Sequence, residues 1–212
     1  MQWTLVIPLK PLARAKSRLA DTAADGLRPG LALAFAQDTV AAALASPAVR
    51  DVAVVTGDPL AGRELSALGA RIVADEPEGG LNTALEHAAA TVRALRPESA
   101  VAALNADLPA LRPSELALVL DAAAEFPRAF LPDAANIGTT LLAAAPGREL
   151  CPAFGRDSRA RHRASGALEL GPAGVDSVRQ DVDTGADLRA ALALGVGPRT
   201  AAMAARLLIP GQ

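Results

Sequence analysis

The sequence predicts an α/β protein in which helices flank a mostly parallel sheet. Between residues 3 and 126, short apolar runs alternate with helical stretches, and repeated βα units of this kind form parallel sheets with right-handed crossovers. Hydrophobic residues make up 51% of the 212 residues, but aromatic residues only 2%. A core of Ala, Val, Leu and Ile suits buried parallel strands covered by Ala-rich helices. The length is typical of one domain, so we expect residues 1–212 to form a single domain.

Each predicted strand is a short apolar run bounded by turn residues. The predicted strands are residues 3–8, 52–56, 71–74, 100–104, 129–131, 139–143 and 177–182. The predicted helices are residues 31–44, 60–68, 81–95, 113–126, 184–194 and a last helix that ends at 208. The short gap between residues 131 and 139 fits a hairpin or a returning edge strand. Residues 152–170 are polar and Arg-rich, and we predict no strand or helix there.

Polar and charged residues collect after the predicted strands. In an open α/β sheet, ligands bind beyond the carboxyl ends of the strands. Both lysines of the chain follow the first strand, although all other basic residues apart from two histidines are arginines. The residues predicted to share this edge are Lys10, Arg14, Lys16, Arg18, Gly79, Gly80, Asn82, Asp107, Asp181 and Asp183.

This set of residues suits a magnesium–nucleotide complex. Mg²⁺ prefers one or two carboxylates together with phosphate oxygens, and Lys is a compact charge for a phosphate. A glycine such as Gly80 lets the backbone approach a ligand at a helix start. No Ser–His–Asp or Cys–His arrangement stands out around His87 or His162. Nucleotidyl transfer to a phosphate needs no general base because the attacking group is already an anion, so it fits better than hydrolysis.

Each of these features also has a simpler explanation when taken alone. Lys10 and Lys16 could be solvated loop charges, and Asp183 could belong to a helix cap with Thr184 and Asp187. Asp107 could lie in a plain turn, and residues 154–163 could form a solvated basic face. The expected convergence of the residues on one edge favours the functional interpretation.

Composition argues against several other classes. The net charge is −2 and the sequence pI about 5.7, so no basic field favours nucleic acid. Cys151 is the only cysteine, which precludes an internal disulfide. No signal peptide or bilayer-spanning run is recognisable, so we expect a cytoplasmic protein without a membrane partner. A homo-oligomer is compatible with the sequence.

Five motifs together resemble a known family. The stretches VIPLKPLARAKSRLA, NADLP, IGTTLLAA, FGRDS and QDVDTGADL occur in this order across nearly the whole chain. The sequence thereby resembles the guanylyltransferases that act on phosphoenolpyruvate or 2-phospho-L-lactate in the biosynthesis of the deazaflavin coenzyme F(420). The resemblance implies a Rossmann-like sheet with the architecture of nucleotidyltransferases, similar to nucleotide-diphospho-sugar transferases. The loop after the first strand lacks the glycines usual in that wider group, so it must hold phosphates mainly by side-chain charge.

The resemblance also implies a reaction. GTP and phosphoenolpyruvate would give enolpyruvoyl-2-diphospho-5'-guanosine and pyrophosphate, with Mg²⁺ as cofactor. 2-Phospho-L-lactate or 3-phosphoglycerate are the alternative acceptors. A non-catalytic GTP-binding module is the alternative from another class, although two carboxylates argue against a mere sensor.

The family's functional residues can be carried over onto matching positions. Acceptor contacts fall on Thr140, Gly155 and Ser158. The resemblance implies Asp107 as a metal ligand and catalytic residue, with Asp183 as the second ligand and Asp181 as its competitor. Lys16, also catalytic, would face the GTP phosphates with support from Lys10 and Arg18, whereas Gly80 and Asn82 are predicted to contact the base or ribose.

Overall fold

The computed structural model describes residues 1–14, 16, 19, 26–75 and 79–207. The strands of this part of the chain are β1 Trp3–Pro8, β2 Val49–Val55, β3 Arg71–Val73, β4 Ala100–Leu104, β5 Arg128–Pro132, β6 Thr139–Ala144 and β7 Leu168–Glu169. The α-helices are α1 Arg28–Leu44, α2 Pro59–Ala67, α3 Leu81–Leu95, α4 Pro113–Ala123, α5 Ser158–Ala164, α6 Asp176–Arg179, α7 Gly185–Leu194 and α8 Pro198–Leu207.

The strands form one mostly parallel sheet, as predicted, and the structure gives their order as β3-β2-β1-β4-β6-β5-β7. Strands β3, β2, β1 and β4 are parallel to their neighbours within this set. Strand β6 is antiparallel to both β4 and β5, and β7 is parallel to β5. The hairpin predicted for β5 and β6 is therefore confirmed. The alternative of a returning edge strand is wrong, because β6 pairs on both sides within the sheet.

Helices cover both faces of the sheet because successive strand residues point in opposite directions. In β1, Leu5 and Ile7 join the buried cluster built with α1, α2 and α4. Val6 between them joins the cluster built with α3. All five residues of β4 are buried, as expected for a central strand covered on both faces.

The predicted strand at residues 177–182 is wrong. Residues 176–179 form the short helix α6, followed by an irregular segment. The Ser177 N–H donates to Glu115 Oε2 at 2.9 Å, and Ser177 Oγ accepts from the Arg112 N–H at 3.0 Å. These bonds attach the segment to the start of α4, so its backbone does not pair with the sheet.

Other differences are local. Helix α4 ends at Ala123 rather than at residue 126, and β2 begins at Val49 rather than at residue 52. The Arg-rich segment contains α5 and β7, where the sequence predicted neither.

The last helix packs on α1. The buried carboxylate of Asp38 in α1 accepts hydrogen bonds from the backbone N–H groups of Thr200 at 2.7 Å and Arg199 at 3.3 Å. Met203 lies against Gly30, where a Cβ would come within 2.7 Å of the Met203 methyl carbon. The first turn of α8 is thus bonded to a side chain of this chain's own core. Among the described residues, no helix combines the length and apolarity that crossing a membrane requires.

The topology brings the carboxyl ends of four strands and the amino end of a fifth to one edge of the sheet. The carboxyl ends of β1 to β4 meet there because these strands are parallel. The amino end of β6 joins them because β6 runs antiparallel to β4. The Asn105 N–H donates to the Thr140 carbonyl at 2.9 Å across this junction. Residues that follow β4 and residues that begin β6 therefore lie side by side.

Candidate active site

Lys16 and two aspartates meet at this edge. The Lys16 ammonium contacts Asp107 Oδ2 and lies 3.1 Å from Asp183 Oδ1. The Lys16 side chain is 11% exposed, that of Asp107 19% and that of Asp183 54%. Residues far apart in the sequence thus form one charged cluster, as the sequence predicted.

A backbone hydrogen bond holds together the two segments that carry Asp107 and Asp183. The Val182 N–H donates to the Asp107 carbonyl at 3.1 Å, which places Asp183 beside the segment that follows β4. Thr184 then caps the start of α7 with a capping box. The Thr184 hydroxyl accepts from the Asp187 N–H, and the Asp187 carboxylate accepts from the Thr184 N–H. The predicted helix cap is confirmed, and it orders the residue next to Asp183 without involving the Asp183 carboxylate.

Thr39 anchors the other side of the Asp107 segment. Its hydroxyl lies 3.2 Å from the Ala106 carbonyl and accepts from the Leu108 N–H at 3.1 Å. Thr39 is fully buried in α1. Sequence reasoning missed it because a threonine inside an apolar helix carries no signal that its partner lies 69 residues further along the chain.

The carboxylates keep Lys16 charged. Burial is the largest single influence and disfavours the ammonium, but the charges of Asp107 and Asp183 and their hydrogen bonds together outweigh it, so the pKa of Lys16 is raised. The Lys16 backbone has a φ of 57°, in the left-handed region that costs a non-glycine residue about 1–2 kcal/mol. An unfavourable backbone conformation at a residue that bridges two carboxylates is typical of a functional site.

Asp181 lies within electrostatic range of the same cluster. Burial, followed by the nearby carboxylates of Asp107, Asp183 and Asp133, raises the pKa of Asp181 to about 8. Its side chain makes no contact with Lys16, whereas that of Asp183 does. The arrangement leaves both aspartates beside Asp107.

The cluster contains two carboxylates, the side chains that Mg²⁺ prefers as protein ligands. Asp107 Oδ1 is buried and has no hydrogen-bond partner among the described residues, so one carboxylate oxygen is left to accept a ligand. Lys16 supplies a positive charge between the same carboxylates. Within the described residues no group of three or more His, Cys, Asp or Glu side chains forms a complete metal site. A cation held here would therefore complete its shell with phosphate and water oxygens, as Mg²⁺ commonly does.

The residues predicted to contact the acceptor lie around the start of β6 and α5. Thr140 is fully buried, and its Oγ1 has no hydrogen-bond partner among the described residues. Ser158 is 2% exposed at the first position of α5. Gly155 has a φ of 113°, which favours glycine. Residues 153–157, which precede α5, are called the Phe154 loop below.

His162 holds the beginning of the Phe154 loop. Its Nε2 accepts from the Ala153 N–H at 2.9 Å, so the neutral ring carries its proton on Nδ1, which donates to Thr139 Oγ1 at 2.9 Å. The ring is fully buried between Phe130 and Phe154. Burial is the main reason that the pKa of His162 is lowered to about 4, and the positive charges of Arg128 and Arg161 add to this shift. His162 is therefore a neutral structural anchor at physiological pH.

The residues predicted to bind the nucleotide are in different situations. Gly80 precedes α3 with a φ of 86°. The Asn82 side chain is hydrogen-bonded to the backbone of Phe154 at both of its polar atoms. Lys10 is exposed, with no hydrogen bond or ion pair to the rest of the described chain. Arg18 lies outside the described residues.

The loop after β1 is hydrogen-bonded to the turn between β2 and α2. Asp58 accepts from the Leu12 N–H at 2.9 Å, and its other oxygen caps α2 through the N–H groups of Leu60 and Ala61. An open groove of about 390 Å³ beside it is bordered by Thr56 and Gly57. The backbone of the Lys-containing loop is thus anchored at the same edge as the carboxylates.

The fold is shared with nucleotidyltransferases. A candidate nucleotide-diphospho-sugar transferase from Desulfovibrio desulfuricans G20 superposes with a TM-score of 0.64 at 16% identity, covering 87% of this chain and 84% of that one. A nucleotidyl transferase from Methanothermobacter (Mth528) gives 0.63 at 21% identity, covering 91% and 97%. Rv0371c from Mycobacterium tuberculosis H37Rv, solved in complex with manganese, gives 0.52 at 19% identity, covering 91% and 99%. At these identities the likeness establishes the fold alone.

Sequence comparison is more specific. Residues 3–155 match the family model described as guanylyl transferase CofC like. The phosphoenolpyruvate guanylyltransferase of Streptomyces avermitilis is 88% identical over 211 residues, covering 100% of this chain and 98% of that protein. The protein of the same name from Streptomyces coelicolor is 81% identical over 212 residues, covering 100% of both. The chain belongs to the CofC-like guanylyl transferase family, and the predicted family is confirmed.

Proposed function

We propose that this protein is a phosphoenolpyruvate guanylyltransferase, acting as one nucleotidyltransferase domain over residues 1–212. It transfers GMP from GTP to phosphoenolpyruvate and produces enolpyruvoyl-2-diphospho-5'-guanosine and pyrophosphate for coenzyme F(420) biosynthesis. The observation that carries the proposal is the meeting of Lys16 with Asp107 and Asp183 at the ligand-binding edge of a nucleotidyltransferase sheet. The shared name of relatives that match the whole chain supports the acceptor. Because GTP and phosphoenolpyruvate are both cytoplasmic metabolites, the proposed location is the cytoplasm.

The chemical step is a substitution at phosphorus. A phosphate oxygen of phosphoenolpyruvate attacks the α-phosphorus of GTP and forms the new P–O–P bond. The bond from the α-phosphorus to the oxygen that bridges to the β-phosphate breaks, and pyrophosphate leaves with that electron pair. The acceptor phosphate is already an anion, so positioning and charge neutralisation supply most of the rate. This agrees with a site in which His162 is buried and both of its ring nitrogens are engaged.

The carboxylates are suited to hold a divalent cation, for which we propose Mg²⁺. Asp107 would hold it together with Asp183, with Asp181 as the competing second ligand. A cation bound there neutralises phosphate charge and orients the reacting groups. The unpartnered buried oxygen of Asp107 supports this assignment, and so does the manganese complex of Rv0371c, which shares the fold.

Lys16 would bind the triphosphate. Its ammonium stays protonated because the carboxylates raise its pKa, so it offers a permanent point charge to a phosphate oxygen. Lys10 is exposed at the start of the same loop and free to support it, and Arg18 is proposed for the same role. Gly80 is proposed to lie against the guanosine, because its open surroundings leave room for close approach of a ligand.

Thr140, Gly155 and Ser158 would bind the acceptor. The Thr140 hydroxyl is a buried donor without a partner, and the Gly155 N–H has no acceptor among the described residues. A small molecule with one phosphate and one carboxylate can satisfy such donors. The same donors also suit 2-phospho-L-lactate or 3-phosphoglycerate, which remain the alternative acceptors.

A matrix of acids and nucleotides tests the proposal. Pyrophosphate release is measured with GTP, ATP and CTP, each combined with phosphoenolpyruvate, 2-phospho-L-lactate or 3-phosphoglycerate, with and without Mg²⁺. We expect the fastest release from GTP with phosphoenolpyruvate and loss of the signal without Mg²⁺. Tight GTP binding with no release from any acid would instead support a non-catalytic GTP-binding module. Size-exclusion chromatography with light scattering would determine whether the active species is a homo-oligomer.

A further inference from the structure

We propose that Asn82 is a positioning residue that holds the Phe154 loop for the acceptor, instead of contacting the guanosine. This inference rests on the proposed function, because it assigns the Phe154 loop to acceptor binding. Asn82 lies in the first turn of α3, two residues after Gly80. It therefore connects the start of the predicted nucleotide-binding helix to a loop 72 residues further along the chain.

Both polar atoms of the Asn82 side chain are engaged. Its Oδ1 accepts from the Phe154 N–H at 2.8 Å, and its Nδ2 donates to the Phe154 carbonyl at 3.1 Å. The side-chain amide thus pairs with one residue's backbone as a strand would. A contact with the base or ribose would have to break or share these bonds, whereas a positioning role uses them as they are.

Two other residues hold the same stretch of backbone. His162 accepts the Ala153 N–H at 2.9 Å, and Arg161 Nη2 donates to the Phe154 carbonyl at 2.6 Å. The N–H groups of Ala153 and Phe154 are therefore both bonded within the protein. Gly155 is exposed, and its N–H has no acceptor among the described residues, so this N–H is available to a ligand.

The three anchors differ in what they determine. His162 and Arg161 lie on α5, directly after the loop, and His162 is bonded to Thr139 of β6, so they fix the loop relative to its own helix and to that strand. Asn82 alone of the three belongs to another element, α3. It therefore sets where the Gly155 N–H lies relative to the start of α3, where the nucleotide is proposed to bind. Losing Asn82 should move the loop and weaken acceptor binding while leaving the nucleotide contacts in place.

The test compares Asn82→Ala and Asn82→Asp with the control Glu86→Ala, an exposed residue one turn further along α3. Steady-state pyrophosphate release gives kcat and the KM for phosphoenolpyruvate. Calorimetry with a non-hydrolysable GTP analogue gives nucleotide affinity. Amide hydrogen exchange of a peptide spanning residues 153–157 reports the loop directly, without any ligand.

For Asn82→Ala we expect a rise of about tenfold in the KM for phosphoenolpyruvate, from the loss of two hydrogen bonds. We expect less than a twofold change in affinity for the GTP analogue, and faster exchange in residues 153–157. Asn82→Asp keeps the acceptor for the Phe154 N–H but sets a carboxylate oxygen against the Phe154 carbonyl, where Asn82 has a donor. This variant should therefore also raise the KM for phosphoenolpyruvate and speed exchange in residues 153–157, and it stays informative if Asn82→Ala does not fold. Glu86→Ala should match the wild type in every measurement.

Three results would overturn the inference. Weakened binding of the GTP analogue at an unchanged acceptor KM would make Asn82 a nucleotide contact. A lower kcat and melting temperature with both substrate constants unchanged would reduce it to a general structural role. Unchanged exchange in residues 153–157 would refute the positioning role even if the wild type released no pyrophosphate. That last case separates failure of this inference from failure of the proposed function.

Discussion

Acidification should destabilise this protein through His162. In the folded state the ring is fully buried and neutral, with Nε2 accepting from the Ala153 N–H. Protonation would place a second N–H against that donor and bury a charge beside Arg128 and Arg161. The unfolded chain binds a proton near the ordinary His pKa of about 6.5, whereas the folded state does so only near 4.

The sign and size of the effect follow from this difference. Between pH 6.5 and 4 the unfolded state binds more protons than the folded state, so the free energy of unfolding falls as the pH falls. Each pKa unit corresponds to about 1.4 kcal/mol, so the full loss is about 3 kcal/mol, of which about 2 kcal/mol is lost between pH 7 and pH 5. Above pH 6.5 the contribution is fully present.

Urea unfolding monitored by circular dichroism at pH 7 and pH 5 measures this loss. Replacing the ring in His162→Gln should remove about 2 kcal/mol from the difference between the two pH values, although the variant starts from lower stability. His87→Gln, at an exposed position on α3, should keep the whole loss. If His162→Gln does not fold, NMR titration of the wild-type ring is decisive: a His162 resonance that titrates near pH 6.5 would refute the reasoning.

Four further outcomes are expected. Asp107→Asn should lower kcat about a hundredfold or more, because it removes charge at the reacting phosphates; retained turnover with an unchanged circular dichroism spectrum would exclude Asp107 from the mechanism. Lys16→Met should weaken binding of a GTP analogue about tenfold, as measured by calorimetry, because one phosphate contact is lost; equal affinity would place the triphosphate elsewhere. Ser158→Ala should raise the KM for phosphoenolpyruvate with GTP affinity nearly unchanged, and weakened GTP binding instead would move the acceptor pocket. Asp38→Ala should lower the free energy of unfolding by about 1–2 kcal/mol in urea titrations, because the first N–H groups of α8 lose their acceptor; Asp121→Ala, at an exposed position on α4, is the matched control.

The parallel half of the sheet could be predicted from local pattern. Strands β1 and β4 and helix α3 have the predicted bounds, since apolar periodicity and flanking Gly and Pro are properties of a few consecutive residues. The strand predicted at residues 177–182 is wrong because distant partners, rather than the local pattern, decide the structure of this segment. Valines there favour a strand locally, but the polar groups of Ser177 bond to Arg112 and Glu115 at the start of α4, and those partners are distant in sequence.

The candidate site shows the same division. Lys16 and Asp107 could be placed at this edge from the sequence, because they follow parallel strands whose carboxyl ends must meet there. Asp183 reaches the same edge through the backbone bond from Val182 to Asp107, and not at the end of the predicted strand. The roles of Thr39, His162 and Asn82 could not be proposed from the sequence, because each depends on hydrogen bonds to backbone groups that only folding brings within reach.

By itself, the sequence determined the alternation of strands and helices, the aliphatic core and the family motifs at the strand ends. Only the tertiary structure decided that Lys16 lies between Asp107 and Asp183, that Asn82 is paired with Phe154 and that α8 packs on α1. The physical reason is the separation along the sequence between the residues that interact. Burial patterns repeat along a single segment and can be recognised within it, whereas a hydrogen bond or ion pair is selected among all groups that the folded chain brings together.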